Sequence, residues 1–284
     1  MYKRSEGFFK GYQDINLFFQ LWENPNAKGT IIFTHGHGEH SGSYNRLIKA
    51  FENDSWNFYG WDLRGHGKSD GRRGFAEYFD DYCRDYKIFL DMVLKDPKVA
   101  GKGPVILLCH SMGALIELKA LIRNPDLQYD GIVVSSPLLG LAMEVPQIKA
   151  KAAGILNKLL PQLTLGNEIS NSMLTSDPEV IREFEQDSLR HTRMSSGVFV
   201  GMLESWGYVR PRANELKKPA LFLLPEHDPV CSTPDAKAFF EKMSSKRKEI
   251  YIYPNAKHEV FNDVMRNTVF ADLKKFLDSF LESK

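Results

Sequence analysis

The sequence predicts an α/β fold in which helices flank a mostly parallel sheet and a helical insertion interrupts the strand order. Three observations indicate this fold: short apolar segments recur, helix-period segments separate them, and one long stretch lacks the strand pattern. Several of the short segments are apolar throughout, as expected of strands buried on both faces of a parallel sheet. The predicted strands are Gly29 to Thr34, Trp56 to Trp61, Pro104 to Cys109, Gly131 to Ser135, Ala220 to Leu224 and Glu249 to Tyr253.

Apolar residues at spacings of three and four predict three long helices, each with an apolar face that packs on the sheet. The three sets are Tyr82, Tyr86, Phe89, Leu90, Val93 and Leu94; Leu115, Leu118, Leu121 and Ile122; and Val269, Leu273, Phe276, Leu277, Phe280 and Leu281. The opening stretch from Gly7 to Trp22 alternates weakly around Gln13 and Asp14, which predicts an antiparallel hairpin at the sheet edge.

The stretch from about Leu139 to Arg212 shows helical and loop patterns without a strand. Its apolar stripe, which Pro161 ends, consists of Ile148, Ala152, Ile155, Leu156, Leu159 and Leu160. Asp177-Pro178 resembles a helix start with proline at the first helical position. We therefore predict a core in two parts, residues 1–138 and 214–284, and a helical cap or lid formed by residues 139–213.

The composition is that of an ordinary soluble globular protein, with 43% apolar and 26% charged residues among 284. A net charge of +1 gives no reason to expect a nucleic-acid partner. The cysteines Cys83, Cys109 and Cys231 form no C-x-x-C pair, which favours reduced thiols in a cytoplasmic protein over a zinc site or disulfides. The polar N-terminus does not resemble a secretory signal, and no apolar run approaches the roughly 20 residues of a spanning helix.

A strand that runs directly into a helix, with a serine at the turn, indicates nucleophilic catalysis. Residues Val105 to Leu115 have this pattern, with Ser111 at the turn. A nucleophile elbow holds its serine in a strained conformation that aims the hydroxyl out of the sheet. Gly113 is the small neighbour that the close helix requires, whereas Cys109 replaces the glycine usual on the strand side. The alternative is an ordinary strand–helix junction with a serine N-cap.

A serine nucleophile needs a general base, and the base needs an orienting acid. In this arrangement the acid and then the histidine follow later in the chain, each after a strand. Asp228 lies in the loop after the strand Ala220 to Leu224, and His258 in the loop after Glu249 to Tyr253. Because ligands bind at the carboxyl ends of strands in open α/β sheets, we predict that Ser111, His258 and Asp228 act as nucleophile, base and acid.

Other residues near these positions are alternatives. Glu226 would be the acid if the preceding strand ended earlier, whereas His227 is badly placed to turn back on that acid. Glu259 and Asp263, beside and beyond the histidine, resemble cap or surface residues. His191, in the insertion, is more readily explained as a structural histidine than as a substrate contact.

Acyl transfer also requires donors for the negative oxygen that develops on the substrate. The backbone N–H of Met112, directly after the nucleophile, is one predicted donor. The second is the backbone N–H of His37, in a glycine-containing loop after an early strand. His35, His37 and His40 superficially resemble a metal site, but the intervening glycines and the lack of other ligand clusters argue against metal. We expect no cofactor.

A second glycine-rich stretch runs from Asp62 to Gly71, after a predicted strand that ends at Trp61. A phosphate-binding loop would need a helix directly after its Lys-Ser pair. Gly71 and Gly74 continue the loop instead. We therefore expect a structural loop packed beside the elbow.

Together these motifs resemble the monoacylglycerol lipase and lysophospholipase branch of the α/β-hydrolases. The motifs that carry the resemblance are His35-Gly36-x-Gly38-Glu39-His40-Ser41-Gly42-x-Tyr44, Gly65-His66-Gly67-x-Ser69-x-Gly71, His110-Ser111-Met112-Gly113, Ser135-Ser136-Pro137-Leu138, Leu159-Leu160-Pro161-x-Leu163-Thr164-Leu165, and the Asp228 and His258 loops. The similarity extends from roughly Gly7 to the C-terminus. It implies an α/β-hydrolase fold and cofactor-free cleavage of a long-chain carboxylic ester, with Ser111, Asp228 and His258 in the triad positions. Cys231 matches a cysteine found near the site in some members.

The substrate expected from this resemblance is a long-chain monoacylglycerol, cleaved to fatty acid and glycerol through an acyl-enzyme. A lysophospholipase or a general carboxylesterase for shorter chains is the alternative among enzymes. A non-catalytic lipid binder on a hydrolase scaffold is the alternative from another class, although it would be expected to have a broken triad. The apolar stripe of the insertion, flanked by Lys149, Lys151 and Lys158, predicts either packing on the core or transient contact of the lid with a membrane surface.

Overall fold

The computed structural model describes residues 2–142, 159–160 and 162–282, and its central feature is an eight-stranded sheet. The strands are β1 Lys3–Lys10, β2 Asn16–Glu23, β3 Gly29–Thr34, β4 Trp56–Trp61, β5 Val105–His110, β6 Gly131–Ser135, β7 Thr164–Gly166, β8 Arg193–Ser195, β9 Ala220–Pro225 and β10 Lys248–Tyr253. All but β7 and β8 form this sheet, in the order β1-β2-β4-β3-β5-β6-β9-β10. The six strands from β4 to β10 in this order are parallel, which confirms the predicted sheet.

The predicted hairpin at the sheet edge is confirmed as well. Strands β1 and β2 pair antiparallel, and β2 pairs antiparallel with β4. Gln13 and Asp14 lie in the connecting turn and have positive φ angles of 63° and 58°. Asparagine and aspartate tolerate positive φ angles best among residues with a side chain, so Asp14 suits this turn better than Gln13 does.

Helices cover both faces of the sheet. The described helices are α1 Asn45–Ala50, α2 Phe79–Lys95, α3 Ser111–Arg123, α4 Asn171–Leu174, α5 Pro178–Gln186, α6 Ser196–Val209, α7 Thr233–Lys242 and α8 Arg266–Leu281. Side chains of β5 alternate between the faces: Leu107 packs in one core with α2 and α3, and Ile106 and Leu108 pack in the other with α1 and α8. This two-sided burial explains why the strand segments are apolar throughout.

The insertion contains a strand pair, so the prediction that residues 139–212 hold no strand is wrong. β7 and β8 pair antiparallel, with Leu165 opposite Met194. Each strand has only three residues, which is too short for an alternating pattern to stand out, and Leu165 is exposed. Most of the predicted apolar stripe, from Ile148 to Leu156, lies outside the described residues.

The predicted helix start at Asp177 is confirmed. Helix α5 begins at Pro178, and the Asp177 Oδ1 atom accepts a hydrogen bond from the Glu179 N–H at 3.0 Å. Among the described residues, no helix combines the length and the apolar character needed to cross a membrane.

Candidate active site

Ser111 lies at the junction between strand β5 and helix α3. The strand ends at His110, and Ser111 is the first residue of the helix. Its φ angle is 52°, in the left-handed region that residues with a side chain rarely adopt. Such strain is characteristic of a nucleophile elbow, so the local backbone has the geometry that the sequence predicts there.

Two glycines allow other backbone segments to approach Ser111. A Cβ atom on Gly113 would lie 2.4 Å from the carbonyl oxygen of His35 and 2.6 Å from that of Thr34. A Cβ atom on Gly36 would lie 2.9 Å from the Cβ of Ser111. The end of β3 and the loop after it therefore run directly against the elbow.

Cys109, in place of the usual glycine, is accommodated within the core. Its side chain is buried, and its Sγ atom lies 3.5 Å from the Val133 carbonyl oxygen as a hydrogen-bond donor. Burial, followed by the nearby Glu117 carboxyl, raises the pKa of the Cys109 thiol well above its ordinary value. Burial also raises the pKa of Glu117. Because burial disfavours the ionised form of both side chains, Cys109 is not activated as a thiolate nucleophile.

Ser111, His258 and Asp228 form a continuous chain of hydrogen bonds. The His258 Nε2 atom lies 2.9 Å from the Ser111 Oγ, and its Nδ1 atom lies 2.8 Å from the Asp228 Oδ2. The second carboxylate oxygen of Asp228 accepts the backbone N–H groups of Val230 and Cys231 at 2.8 and 3.0 Å. These two bonds hold the carboxylate so that its other oxygen faces the imidazole.

The structure separates Asp228 from its predicted alternative, Glu226. β9 continues to Pro225, and the Glu226 backbone N–H then bonds to the Tyr253 carbonyl oxygen. The Glu226 side chain is exposed and lies 3.9 Å from that of His227. The acid that reaches His258 is therefore Asp228.

His258 is placed to accept a proton from the Ser111 hydroxyl. Burial alone would lower the pKa of His258, but the Asp228 carboxylate opposes this effect through its charge and its hydrogen bond. Glu259 and Glu39 act in the same direction, and the net result is a pKa above the ordinary value of histidine. An acid that stabilises the imidazolium is what a serine–histidine pair requires of its third member.

The predicted oxyanion donors belong to the start of α3 and to the loop after β3. Met112 is the second residue of α3, where backbone N–H groups have no acceptor within the helix. The loop that carries His37 passes Ser111 at Gly36, and the Glu39 Oε1 atom accepts the Gly36 N–H at 2.5 Å. Among the described residues, no backbone carbonyl accepts the His37 N–H.

Two residues that have no role predicted from the sequence contact the Ser111–His258–Asp228 group. The Ser136 Oγ atom donates a hydrogen bond of 2.7 Å to the carbonyl oxygen of His258, and Ser136 has a φ angle of 42°. The Cys231 Sγ atom lies 4.0 Å from the Ser111 Oγ, and burial raises the pKa of its thiol well above the ordinary value. Ser136 belongs to a motif of the family resemblance, which is the signal that singles it out.

The histidines of the β3–α1 loop have separate partners. His35 bonds through both ring nitrogens to backbone atoms of Gly36 and Leu63. The His40 Nε2 atom pairs with Asp187 of the insertion at 2.7 Å. The rings of His37 and His66 pack edge to face, and that of His191 contacts both.

The second glycine-rich loop binds to β2 and to the insertion. The Ser69 hydroxyl accepts the Phe18 N–H of β2 at 2.8 Å. His191 contacts the loop through a ring nitrogen 3.1 Å from the Gly65 carbonyl oxygen, and the Ser195 N–H donates to the Gly74 carbonyl oxygen at 2.8 Å. The next helix, α2, begins only at Phe79, as expected of a structural loop.

The chain is similar to known ester-cleaving proteins over nearly its whole length. The profile of the Hydrolase_4 family, described as serine aminopeptidase, S33, matches residues 25–265. Monoacylglycerol lipase of Mycolicibacterium smegmatis is 25% identical over 280 residues, which cover 98% of each chain. Monoglyceride lipase of Homo sapiens is 30% identical over 268 residues, which cover 92% of this chain and 86% of that protein. The crystal structure of Paleococcus ferrophilus monoacylglycerol lipase aligns over 99% of both chains with a TM-score of 0.81 and 25% identity.

Proposed function

Because the chain belongs to the Hydrolase_4 family and is a serine hydrolase, we propose that it cleaves a long-chain monoacylglycerol to fatty acid and glycerol. The observation that carries this proposal is the hydrogen-bonded chain from Ser111 Oγ through His258 to Asp228, at 2.9 and 2.8 Å. The monoacylglycerol lipases among its relatives support the choice of ester and alcohol.

In the proposed mechanism, His258 accepts the Ser111 proton while the hydroxyl oxygen attacks the acyl carbon. The backbone N–H groups of Met112 and His37 donate to the oxyanion of the tetrahedral intermediate. His258 then protonates the departing glycerol oxygen, which leaves an ester between Ser111 and the fatty acid. A water molecule, deprotonated by the same histidine, cleaves this acyl-enzyme and restores the serine.

The substrate assignment is tested by a panel of esters and amides. We expect kcat/KM for monooleoylglycerol to exceed the values for lysophosphatidylcholine and for a short-chain ester by about tenfold or more, the scale of one or two productive apolar contacts. An amino-acid p-nitroanilide tests the aminopeptidase activity that the family description names. A higher kcat/KM for lysophosphatidylcholine or for the anilide than for monooleoylglycerol would contradict the proposed substrate. It would not contradict the assignment of the triad.

Residues 139–213 are the proposed cap over this site. In support, the His191 N–H donates to the Gly38 carbonyl oxygen at 3.0 Å, in the loop that carries the proposed oxyanion donor His37. A Cβ atom on Gly38 would lie 2.3 Å from the His191 carbonyl oxygen, so this part of the insertion lies against the loop. In this proposal the insertion controls access to Ser111, which is buried.

The proposed cap presents leucines for transient contact with a membrane surface. Leu159 is 72% exposed and Leu165 is 56% exposed, and Leu160 and Leu163 are exposed as well. Exposed apolar side chains grouped along one segment are typical of interfacial contact.

Leu165→Glu is expected to weaken binding to phosphatidylcholine vesicles about tenfold, because it places a charge in the apolar contact. Cosedimentation with the vesicles measures the effect. Val264→Glu is the matched control, since Val264 is also exposed but lies outside the leucine segment. Equal binding by the two variants and the unmodified protein would argue against the membrane contact.

A further inference from the structure

Arg190 is a buried cation of the insertion that faces the two loops meeting at Ser111. Its side chain is only 8% exposed and lies between α5 and β8. The Nη2 atom donates to the Glu259 Oε1 at 2.5 Å, and the Nη1 atom donates to the Ser43 Oγ at 3.3 Å. The guanidinium carbon lies 3.7 Å from the centre of the Phe184 ring. With an ion pair and an aromatic face in contact, the side chain has little freedom to turn away.

Glu259, the partner of Arg190, directly follows the base His258. Its Oε2 atom accepts a hydrogen bond from the Asn262 Nδ2 at 2.9 Å. Its backbone N–H donates to the Leu174 carbonyl oxygen of the insertion at 2.8 Å. The residue after the base is therefore bound to the insertion twice, once through its side chain and once through its backbone.

Glu39 is a second buried carboxyl in the same region, on the loop that carries His37. It is 3% exposed, and its Oε1 atom accepts the Gly36 N–H and, at 3.2 Å, the Tyr44 hydroxyl. Burial raises the pKa of Glu39 to about 8, with a further contribution from Glu259, while the charge of Arg190 acts in the opposite direction. Arg190 thus binds the His258 loop through Glu259 and the His37 loop through Ser43, and its charge favours the ionised form of Glu39.

Building on the proposed function, we propose that Arg190 is a positioning residue that holds the His258 loop and the His37 loop in register through its bonds to Glu259 and Ser43. Without this cation the Glu259 carboxylate loses its buried ion-pair partner, and the two loops relax apart. This relaxation displaces the base relative to the oxyanion donor. The chemical step loses rate more than substrate binding does, because the misplacement acts on the reacting atoms.

The electrostatic surroundings determine the sign of the expected pH effects. Groups that interact with Arg190 or with its partners come from every neighbouring element: Glu39 and Tyr44 from the β3–α1 loop, Asp187 from the insertion, His258 and Glu259 from the loop after β10, and His110 from the end of β5. Glu259 and Glu39 raise the pKa of His258. Removal of the cation that offsets them should raise it further, and removal of the Glu259 charge should lower it.

The test compares Arg190→Gln, Arg190→Lys and Glu259→Gln by steady-state kinetics with monooleoylglycerol over a range of pH. We expect Arg190→Gln to lower kcat about 10- to 100-fold with KM within about twofold, the scale of a small misplacement of reacting groups. The acid limb of its kcat/KM profile should move to higher pH, because protonated His258 cannot act as a base. Arg190→Lys should restore most of kcat, and Glu259→Gln should move the acid limb to lower pH.

Arg46→Gln is the matched control, because the Arg46 Nη2 atom also pairs with a carboxylate of the insertion, Glu183 at 2.6 Å, but in a pair that is 28% and 58% exposed rather than buried. Arg190→Gln behaving like Arg46→Gln in kcat and acid limb would overturn the proposal. The proposal would also be overturned if Arg190→Gln and Glu259→Gln moved the acid limb of the kcat/KM profile in the same direction. If Arg190→Gln fails to fold, as judged by near-UV circular dichroism, Arg190→Lys and the isosteric Glu259→Gln decide the question.

The outcome for the wild-type protein separates this inference from the proposed function. A wild-type protein that neither hydrolyses esters nor reacts with a fluorophosphonate would overturn the proposed function, and this inference with it. An active wild type with an unaltered Arg190→Gln variant would overturn the role of Arg190 alone.

Discussion

Ser111→Ala is expected to lower kcat for ester hydrolysis roughly 10⁵- to 10⁶-fold, the scale seen when a triad nucleophile is removed. In the proposed mechanism the Ser111 hydroxyl oxygen forms the acyl-enzyme, and the His258 Nε2 atom lies 2.9 Å from it. Residual activity comes from the oxyanion donors and substrate binding alone. Rates with monooleoylglycerol and labelling by a fluorophosphonate probe measure the effect.

The fold should survive this change. Alanine carries the same Cβ as serine, so the strain at a φ of 52° is unaltered, and the thermal unfolding midpoint should remain close to that of the wild type. Ser172→Ala, at an exposed serine of α4, is the control that should stay active and labelled. Covalent labelling of Ser111→Ala would assign the nucleophile to another residue.

Asp228→Asn is expected to reduce kcat by about 10⁴-fold. Asparagine keeps the shape of the side chain, but its neutral amide no longer stabilises the imidazolium that forms when His258 takes up a proton. It also favours the wrong tautomer by presenting a donor to the Nδ1 atom, which lies 2.8 Å from the present carboxylate oxygen. Pre-steady-state and steady-state rates with the same ester test this expectation.

The pH profile provides a second measurement for this variant. The charge and hydrogen bond of Asp228 raise the pKa of His258 against the effect of burial. Their loss should therefore lower that pKa, and the acid limb of the residual activity should move to lower pH. Glu226→Gln, two residues earlier, is the matched control and should retain kcat within about twofold, as is usual for an exposed side chain away from the site. A greater loss in Glu226→Gln than in Asp228→Asn would transfer the acid role to Glu226.

The choice between these two carboxyls shows where the sequence pattern stops being informative. Both follow the same buried strand, and an end of β9 one or two residues earlier would have favoured Glu226. The pairing of β9 with β10 continues to Pro225 opposite Tyr253, which leaves Glu226 exposed and turns Asp228 inward. Side-chain direction depends on where a ladder ends, and strand ends are poorly defined by local sequence.

The insertion shows the same limit at the level of secondary structure. Helix α5 has a sequence signal, since Asp177 caps it and Pro178 begins it. β7 and β8 have no such sequence signal. Their pairing involves only three residues on each strand, and the paired residues Thr164 and Ser195 are 31 positions apart in the chain. Such a pair is stabilised by tertiary packing rather than by local preference.

The amino-acid sequence by itself determined the alternation of apolar strands with amphipathic helices, the serine at a strand–helix turn, and the order along the chain of the proposed nucleophile, acid and base. These features are local, since periodicity and turn chemistry act over a few residues. Only the tertiary structure decided that Asp228 reaches His258, and that Arg190 meets Glu259 in a buried ion pair near Glu39. Contacts of this kind join residues far apart in the chain, and burial changes their charges only after the whole fold has formed.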